Sequence, residues 1–185
     1  MIAPDLVADM GVSAAGLGLL TSAYFLGFAA CQLPLGLVLD RVGPRKTEAG
    51  LLLIAAIGSF WFAMAETERE LVCARVLIGI GVSACLMASF KAFVDWFPKE
   101  KHPVMNGLIL MAGGLGAISS TAPIEAALLL TDWRGIFLGL AGMGVAASAA
   151  LYFAVPERQV HLKSPTRESL SHQVRDMVKI LRTPI

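Results

Sequence analysis

Charged residues are scarce in this chain: Asp, Glu, Lys and Arg together make up 16% of its 185 residues. A soluble domain carries about a quarter. The charges nearly cancel, to a formal net charge of +1, so the sequence predicts no nucleic-acid partner. Apolar residues replace the missing charge, at 56% of the chain and a mean hydropathy of +0.70.

Patterns typical of enzymes and metal sites are missing as well. Cys31, Cys73 and Cys85 lie inside apolar runs without metal or redox spacing, so we interpret them as small packing residues. There is no Ser/His/Asp or Cys/His arrangement either. We therefore expect no enzymatic activity, no metal and no cofactor. Residues 1–5 also lack the basic segment that begins a signal peptide.

The apolar residues are concentrated in five long runs. A helix of about 20 residues, rising about 1.5 Å per residue, crosses the ~30 Å hydrocarbon core of a bilayer. The runs therefore predict an all-α membrane protein in which residues 1–158 form a transmembrane bundle. The predicted spans cover residues 14–39, 47–65, 71–93, 104–130 and 135–155.

Residues 159–185 are polar and form a predicted linker. Apolar side chains fall on one face of this segment at helical spacing, which predicts an amphipathic helix. That helix could lie on an anionic leaflet or be a solvated linker, and the sequence leaves both open. The apolar face consists of Leu170, Val174, Met177, Val178 and Leu181.

The basic residues predict how the spans are oriented. Cytoplasmic loops of membrane proteins carry an excess of Lys and Arg. The loops on one side, together with the tail, hold nearly all the bases, whereas the opposite side has only Arg69 and Arg134. We therefore expect residues 1–13 to lie outside and the C-terminus to be cytoplasmic. The bases on the cytoplasmic side include Arg41, Arg45, Lys46, Lys91, Lys99, Lys101 and Arg158.

A dense charged turn lies between the first two spans. Its pattern is Gly, three residues, Asp, a base, any residue, Gly, and then further bases. This pattern resembles the signature between the second and third transmembrane helices of the major facilitator superfamily. Pro44 replaces the first base of the final pair. An ordinary inside-positive loop would explain the bases, but not the spacing of the glycine and the acid. The matching residues are Gly36, Asp40, Arg41, Gly43, Arg45 and Lys46.

Three later segments resemble the same family in the expected order. Arg75 followed by Gly79 and Gly81 is similar to the motif of its fourth helix. The segment 132–137 resembles the start of the sixth helix, and 156–158 its close. The resemblance implies helices two to six of a twelve-helix carrier, an incomplete N-terminal half, in a bacterial inner (plasma) membrane.

The resemblance implies a secondary transporter of small solutes that works by alternating access. An ionisable residue inside a span is costly and usually functional, so Arg75 is expected to serve the solute path. Its positive charge would favour an organic anion. Transport of that anion is expected to be coupled to protons. Alternatively, Arg75 snorkels to the outer interface. The candidate residues of the solute path are Tyr24, Gln32, Arg75, Asn106 and Glu125.

The charged turn is expected to act as a conformational switch. In the resembling family its acid, here Asp40, meets a helix of the other half, and its bases reach an acid at the end of the fourth helix. That acid would be Asp95, with Arg45 or Arg41 as its partner. Close helix packing is expected at six further positions. They are Gly79, Gly81, Gly113, Gly114, Gly116 and Pro123.

The expected partners are the bilayer, a small-molecule solute and the missing C-terminal half of the carrier. One alternative is a drug or metabolite exporter by proton antiport, although the span 104–130 lacks the Gly-Pro step typical of antiporters. Another is a non-transporting scaffold or inactive remnant, if the truncation is natural. No acid is placed mid-membrane, since Glu125 is close to the outer end, so a proton carrier is expected in the missing parts.

Overall fold

The computed structural model describes residues 2–155, which form eight α-helices and one 3₁₀ turn without any strand. The predicted linker helix at 159–185, together with Pro156, Glu157 and Arg158, lies outside these residues. The helices are α1 (Ala3–Met10), α2 (Ala14–Val42), α3 (Pro44–Met64), α4 (Glu68–Val82), α5 (Cys85–Trp96), α6 (His102–Ser119), α7 (Ala122–Leu128) and α8 (Trp133–Ala154), with the 3₁₀ turn at Lys99–Lys101.

Five segments of the described residues are long and apolar enough to cross a membrane. Three are the single helices α2, α3 and α8, and two are interrupted, Glu68–Trp96 and Lys99–Leu128. The prediction of an all-α membrane bundle with five spans is confirmed. The bundle has two ends. We call the end that carries α1 the α1 end, and the end where α2 meets α3 the Gly43 end.

The charged turn is shorter than the sequence suggested. Helix α2 continues through Asp40 and Arg41, and Gly43 alone separates it from α3. Gly43 has a φ of 87°, which residues with a side chain rarely adopt. Helix α3 begins at Pro44, three residues before the predicted start, because proline is pre-organised for the first helical position.

Two predicted continuous spans are broken in the structure. The third span breaks between α4 and α5, where the Ser83 hydroxyl donates to the Ile80 carbonyl at 2.7 Å. The fourth breaks before α7, where the Ser120 hydroxyl donates to the Ala117 carbonyl at 2.7 Å. Serine hydroxyls compete with the backbone for helical carbonyls, and Pro123 supplies no N–H to continue the helix.

The best-packed part of the bundle lies at the α1 end. The indole N–H of Trp133 donates to Asp9 at 2.9 Å, and Arg134 donates to the carbonyls of Ala63 and Ala65 at 2.6 and 2.9 Å. These bonds tie α1, α3 and α8 together, so the predicted outer segment includes a docked helix. The largest fully buried side chains are Trp133, Phe62, Leu6, Leu71 and Val12.

Glycines allow α4 to pack closely against α2 and α3. A Cβ at Gly79 would overlap the carbonyl oxygen of Tyr24, and one at Gly81 would overlap the backbone of Ala55. Such small residues let helix backbones approach closely in membranes. In contrast, α6 has no buried residue, and its Gly113, Gly114 and Gly116 face open space. Pro123 is exposed in α7.

Candidate functional site

Arg75 lies about two turns into α4, where its side chain turns into the bundle. Its guanidinium carbon is 4.7 Å from the ring centre of Phe62 and 5.4 Å from that of Phe137. Phe62, on α3, is fully buried, and Phe137, on α8, is 6% exposed. The side chain therefore ends against aromatic rings near the α1 end. Such stacking stabilises a cation.

The Arg75 guanidinium is not neutralised by the part of the chain that the structure describes. Its buried Nε has no hydrogen-bond partner, and no acid within residues 2–155 pairs with it. Tyr24 of α2 lies close enough to interact with it electrostatically. A guanidinium offers five N–H donors and binds carboxylates with two of them at once. This arrangement can therefore receive an anion.

The other predicted path residues fall into two groups. Tyr24 and Gln32 are half-buried on α2, and the Gln32 amide donates to the Ser83 carbonyl at 3.4 Å, where α4 ends. Asn106 on α6 and Glu125 on α7 are exposed. The structure therefore brings Tyr24 to Arg75 across the α2–α4 contact, while Asn106 and Glu125 lie on helices apart from that contact.

At the Gly43 end, the predicted switch acid has a partner that the sequence did not suggest. The Lys91 ammonium of α5 lies 2.5 Å from the Asp40 carboxylate of α2. Asp40 is 69% exposed and Lys91 27%, so water screens the pair. Gly36, Arg41 and Lys46 are exposed nearby. Sequence reading assigned Lys91 only to the inside-positive bases, because a pairing across 51 residues depends on how the helices pack.

Arg45 contacts α8. Its guanidinium donates to the carbonyl oxygen of Tyr152 and lies 4.8 Å from the centre of that ring. Tyr152 is in the last turn of α8, whose free carbonyls attract cations. Arg45 thus holds α3 to the end of α8, and the pairing of Asp95 with Arg45 or Arg41 stays a prediction. Asp95 and Lys46 each have contacts of their own.

The sequence resemblance implies a conformational switch at this end, so we expect loss of the Asp40–Lys91 pair to slow uptake modestly in a complete carrier that contains this chain. Asp40→Asn and Lys91→Ala should each reduce uptake about two- to fivefold, since an exposed pair contributes up to about 1 kcal/mol. The double variant should be no slower than either single variant. Lys99→Ala, at an exposed base near the same end, is the control. Fully additive losses would mean that the two residues act independently.

Sequence reading missed Glu48. It lies just over one turn into α3, and its Oε2 atom is buried without a hydrogen-bond partner. The thiol of Cys85, on α5, faces its carboxyl group. The signal was present, because Glu48 directly precedes the apolar run of α3, but the residue was given no role although it lies in the predicted span 47–65.

This all-α bundle, with five segments long and apolar enough to cross a membrane, is a multi-pass integral membrane protein. The sequence profile of the Major Facilitator Superfamily matches residues 1–185. The chain belongs to this superfamily, as the motifs predicted.

Several known proteins are similar to the chain. A "Probable L-galactonate transporter" of Escherichia coli (strain K12) is 27% identical over 158 residues, which are 82% of this chain and 33% of that protein. "Multidrug resistance protein MdtL" of Vibrio parahaemolyticus is 28% identical over 156 residues, 83% and 39% of the two chains. A "Probable sulfoacetate transporter SauU" of Cupriavidus necator is 28% identical over 153 residues, 82% and 36%. The chain thus spans well under half the length of these relatives.

Proposed function

We propose that the carrier to which this chain belongs is a secondary transporter, rather than an enzyme, and that it moves a small organic anion by alternating access. The observation that carries this proposal is Arg75. Its guanidinium is stacked on Phe62 and Phe137 and has no acidic partner among the described residues. A cation inside a membrane span without a counter-charge is unfavourable, and a bound anion would remove that penalty.

Two of the relatives support this substrate class by their names. L-galactonate and sulfoacetate are both small carboxylates. The similarity to each of these transporters covers more than four fifths of the present chain. A carboxylate could accept hydrogen bonds from both terminal nitrogens of Arg75 and from the Tyr24 hydroxyl. We also propose that movement of the anion is coupled to movement of protons.

Export of drugs by proton antiport is the second candidate. The multidrug resistance proteins at 28% identity favour it. The missing Gly-Pro step in α6 and α7 counts against it, as does Arg75, because a fixed cation repels cationic drugs. The two candidates therefore differ in the charge of the substrate.

We also propose an orientation and a set of partners for the carrier. The Gly43 end carries most of the bases, so we place it and the C-terminus in the cytoplasm of a bacterial cell, with the α1 end outside. The exposed faces of α6 would be covered by the bilayer and by the other half of the carrier. Labelling of single cysteines placed at the exposed positions Arg69 and Lys101 with a membrane-impermeant reagent tests this, since only position 69 should react from outside.

Substrate counterflow tests the proposed function directly. Purified complete carrier is reconstituted into vesicles loaded with unlabelled galactonate or sulfoacetate, and the entry of the labelled anion is followed. We expect loading to accelerate entry several-fold over empty vesicles, because exchange needs no external driving force. Ethidium is the matched cationic probe. Exchange of ethidium without exchange of either anion would favour the antiport candidate.

A further inference from the structure

Glu48 differs from every other acid that the structure describes. Of the carboxylates in residues 2–155, only that of Glu48 has an oxygen removed from solvent without a hydrogen-bond partner. It lies inside the predicted span formed by α3, just past the first turn, and accepts no bond from the backbone N–H groups there. Buried polar groups are nearly always satisfied, so an unsatisfied one points to a role.

Among the residues that the structure describes, no nearby base neutralises Glu48. Arg45, one turn earlier on α3, is directed to the carbonyl and ring of Tyr152 on α8. Lys91, on α5, is held by Asp40 of α2 at 2.5 Å. The Lys46 side chain is exposed to solvent and interacts with another group.

Three other titratable groups on the surrounding helices supply no positive charge to Glu48 either. The Cys85 thiol of α5 is the group that faces the Glu48 carboxyl, and it carries no positive charge. On α4, Arg75 lies toward the α1 end of the bundle, against Phe62. On α8, Tyr152 is engaged with Arg45. A carboxylate at Glu48 would therefore have the neutral Cys85 thiol as its neighbour, one buried oxygen without a hydrogen bond, and no cationic partner within residues 2–155, which is unfavourable.

We propose that Glu48 is a proton-binding site that couples transport to the proton gradient. The carboxyl O–H bond is intact while α3, α5 and α8 pack as they do here. When the Gly43 end opens, water reaches the side chain, the O–H bond breaks, and the proton passes to water and leaves a hydrated carboxylate. The coupling role rests on the proposed function, since it requires a carrier that alternates between two states.

Carbodiimide labelling tests the proton site without any substrate. Dicyclohexylcarbodiimide reacts with protonated carboxyl groups in apolar surroundings and leaves a stable adduct, which peptide mass spectrometry detects. We expect Glu48 in membranes that hold the complete carrier to be labelled about tenfold faster than exposed Glu100, with the rate falling as the pH is raised. Labelling no faster than that of Glu100 would overturn the proposal, as would a rate independent of pH.

Glu48→Gln tests the coupling role, because glutamine keeps the shape and cannot release a proton. In the complete carrier this variant should retain anion counterflow within about twofold but lose acceleration by a pH gradient. Loss of counterflow together with the gradient response would make Glu48 a structural or substrate residue, and an unchanged gradient response would exclude coupling. Wild-type carrier that is labelled at Glu48 but shows no anion counterflow would reject the proposed function and leave the proton site standing.

Discussion

Arg75→Ala is expected to reduce anion counterflow by the complete carrier about 10- to 100-fold. A hydrogen bond to a charged group contributes about 1.5–3 kcal/mol, and each 1.4 kcal/mol is about tenfold in affinity. Arg75→Lys should recover only part of this loss. Lysine keeps the charge, but it lacks the planar fork that binds a carboxylate twice and stacks on the rings of Phe62 and Phe137.

Arg69→Ala is the matched control for this experiment. Arg69 is on the same helix, α4, but it is exposed at the α1 end, so its removal should leave counterflow within about twofold. The amount of monodisperse carrier in detergent must be compared for each variant, because Arg75 also packs on the core. Normal uptake kinetics in Arg75→Ala, with normal amounts of protein, would leave Arg75 as a purely structural cation beneath the aromatic rings.

Gly79→Ala is expected to destabilise the bundle, although alanine is the better helix former. The new methyl group would overlap the carbonyl oxygen of Tyr24, which belongs to a helix backbone and cannot rotate away. Overpacking of this kind costs about 1–3 kcal/mol. Because α2 and α4 must then separate, Tyr24 should also move away from Arg75, and anion binding should weaken with stability.

The control for Gly79→Ala is Gly142→Ala on α8. A Cβ at Gly142 meets nothing within 4 Å, so this change should be neutral or should stabilise the helix by up to about 1 kcal/mol. The stability of each variant is measured as the thermal midpoint of the detergent-solubilised carrier, which size-exclusion chromatography after heating reports. Equal midpoints for the two variants would show that the α2–α4 contact tolerates a methyl group.

The amino-acid sequence by itself determined the class of protein, the number of spans and the family. Five apolar runs must each satisfy their backbone hydrogen bonds as helices in a bilayer, so composition and length are sufficient to count them. Gly43 and Pro44 also determine where the turn between α2 and α3 lies, although α3 begins three residues before the predicted start of its span. Local signals were weaker at the two interrupted spans, where serine hydroxyls compete for backbone carbonyls.

Only the tertiary structure decided which side chains meet. The partner of Asp40 is 51 residues away on α5, and that of Arg45 is 107 residues away on α8. The surroundings of Glu48 were also decided by the tertiary structure. Its Oε2 atom has no hydrogen-bond partner because the charged side chains on the neighbouring helices contact other groups. Sequence reading places a residue on a helix and near one end of it, but the contact between two helices depends on their crossing and rotation. Those are set by close packing at small residues such as Gly79, which involve the whole bundle at once.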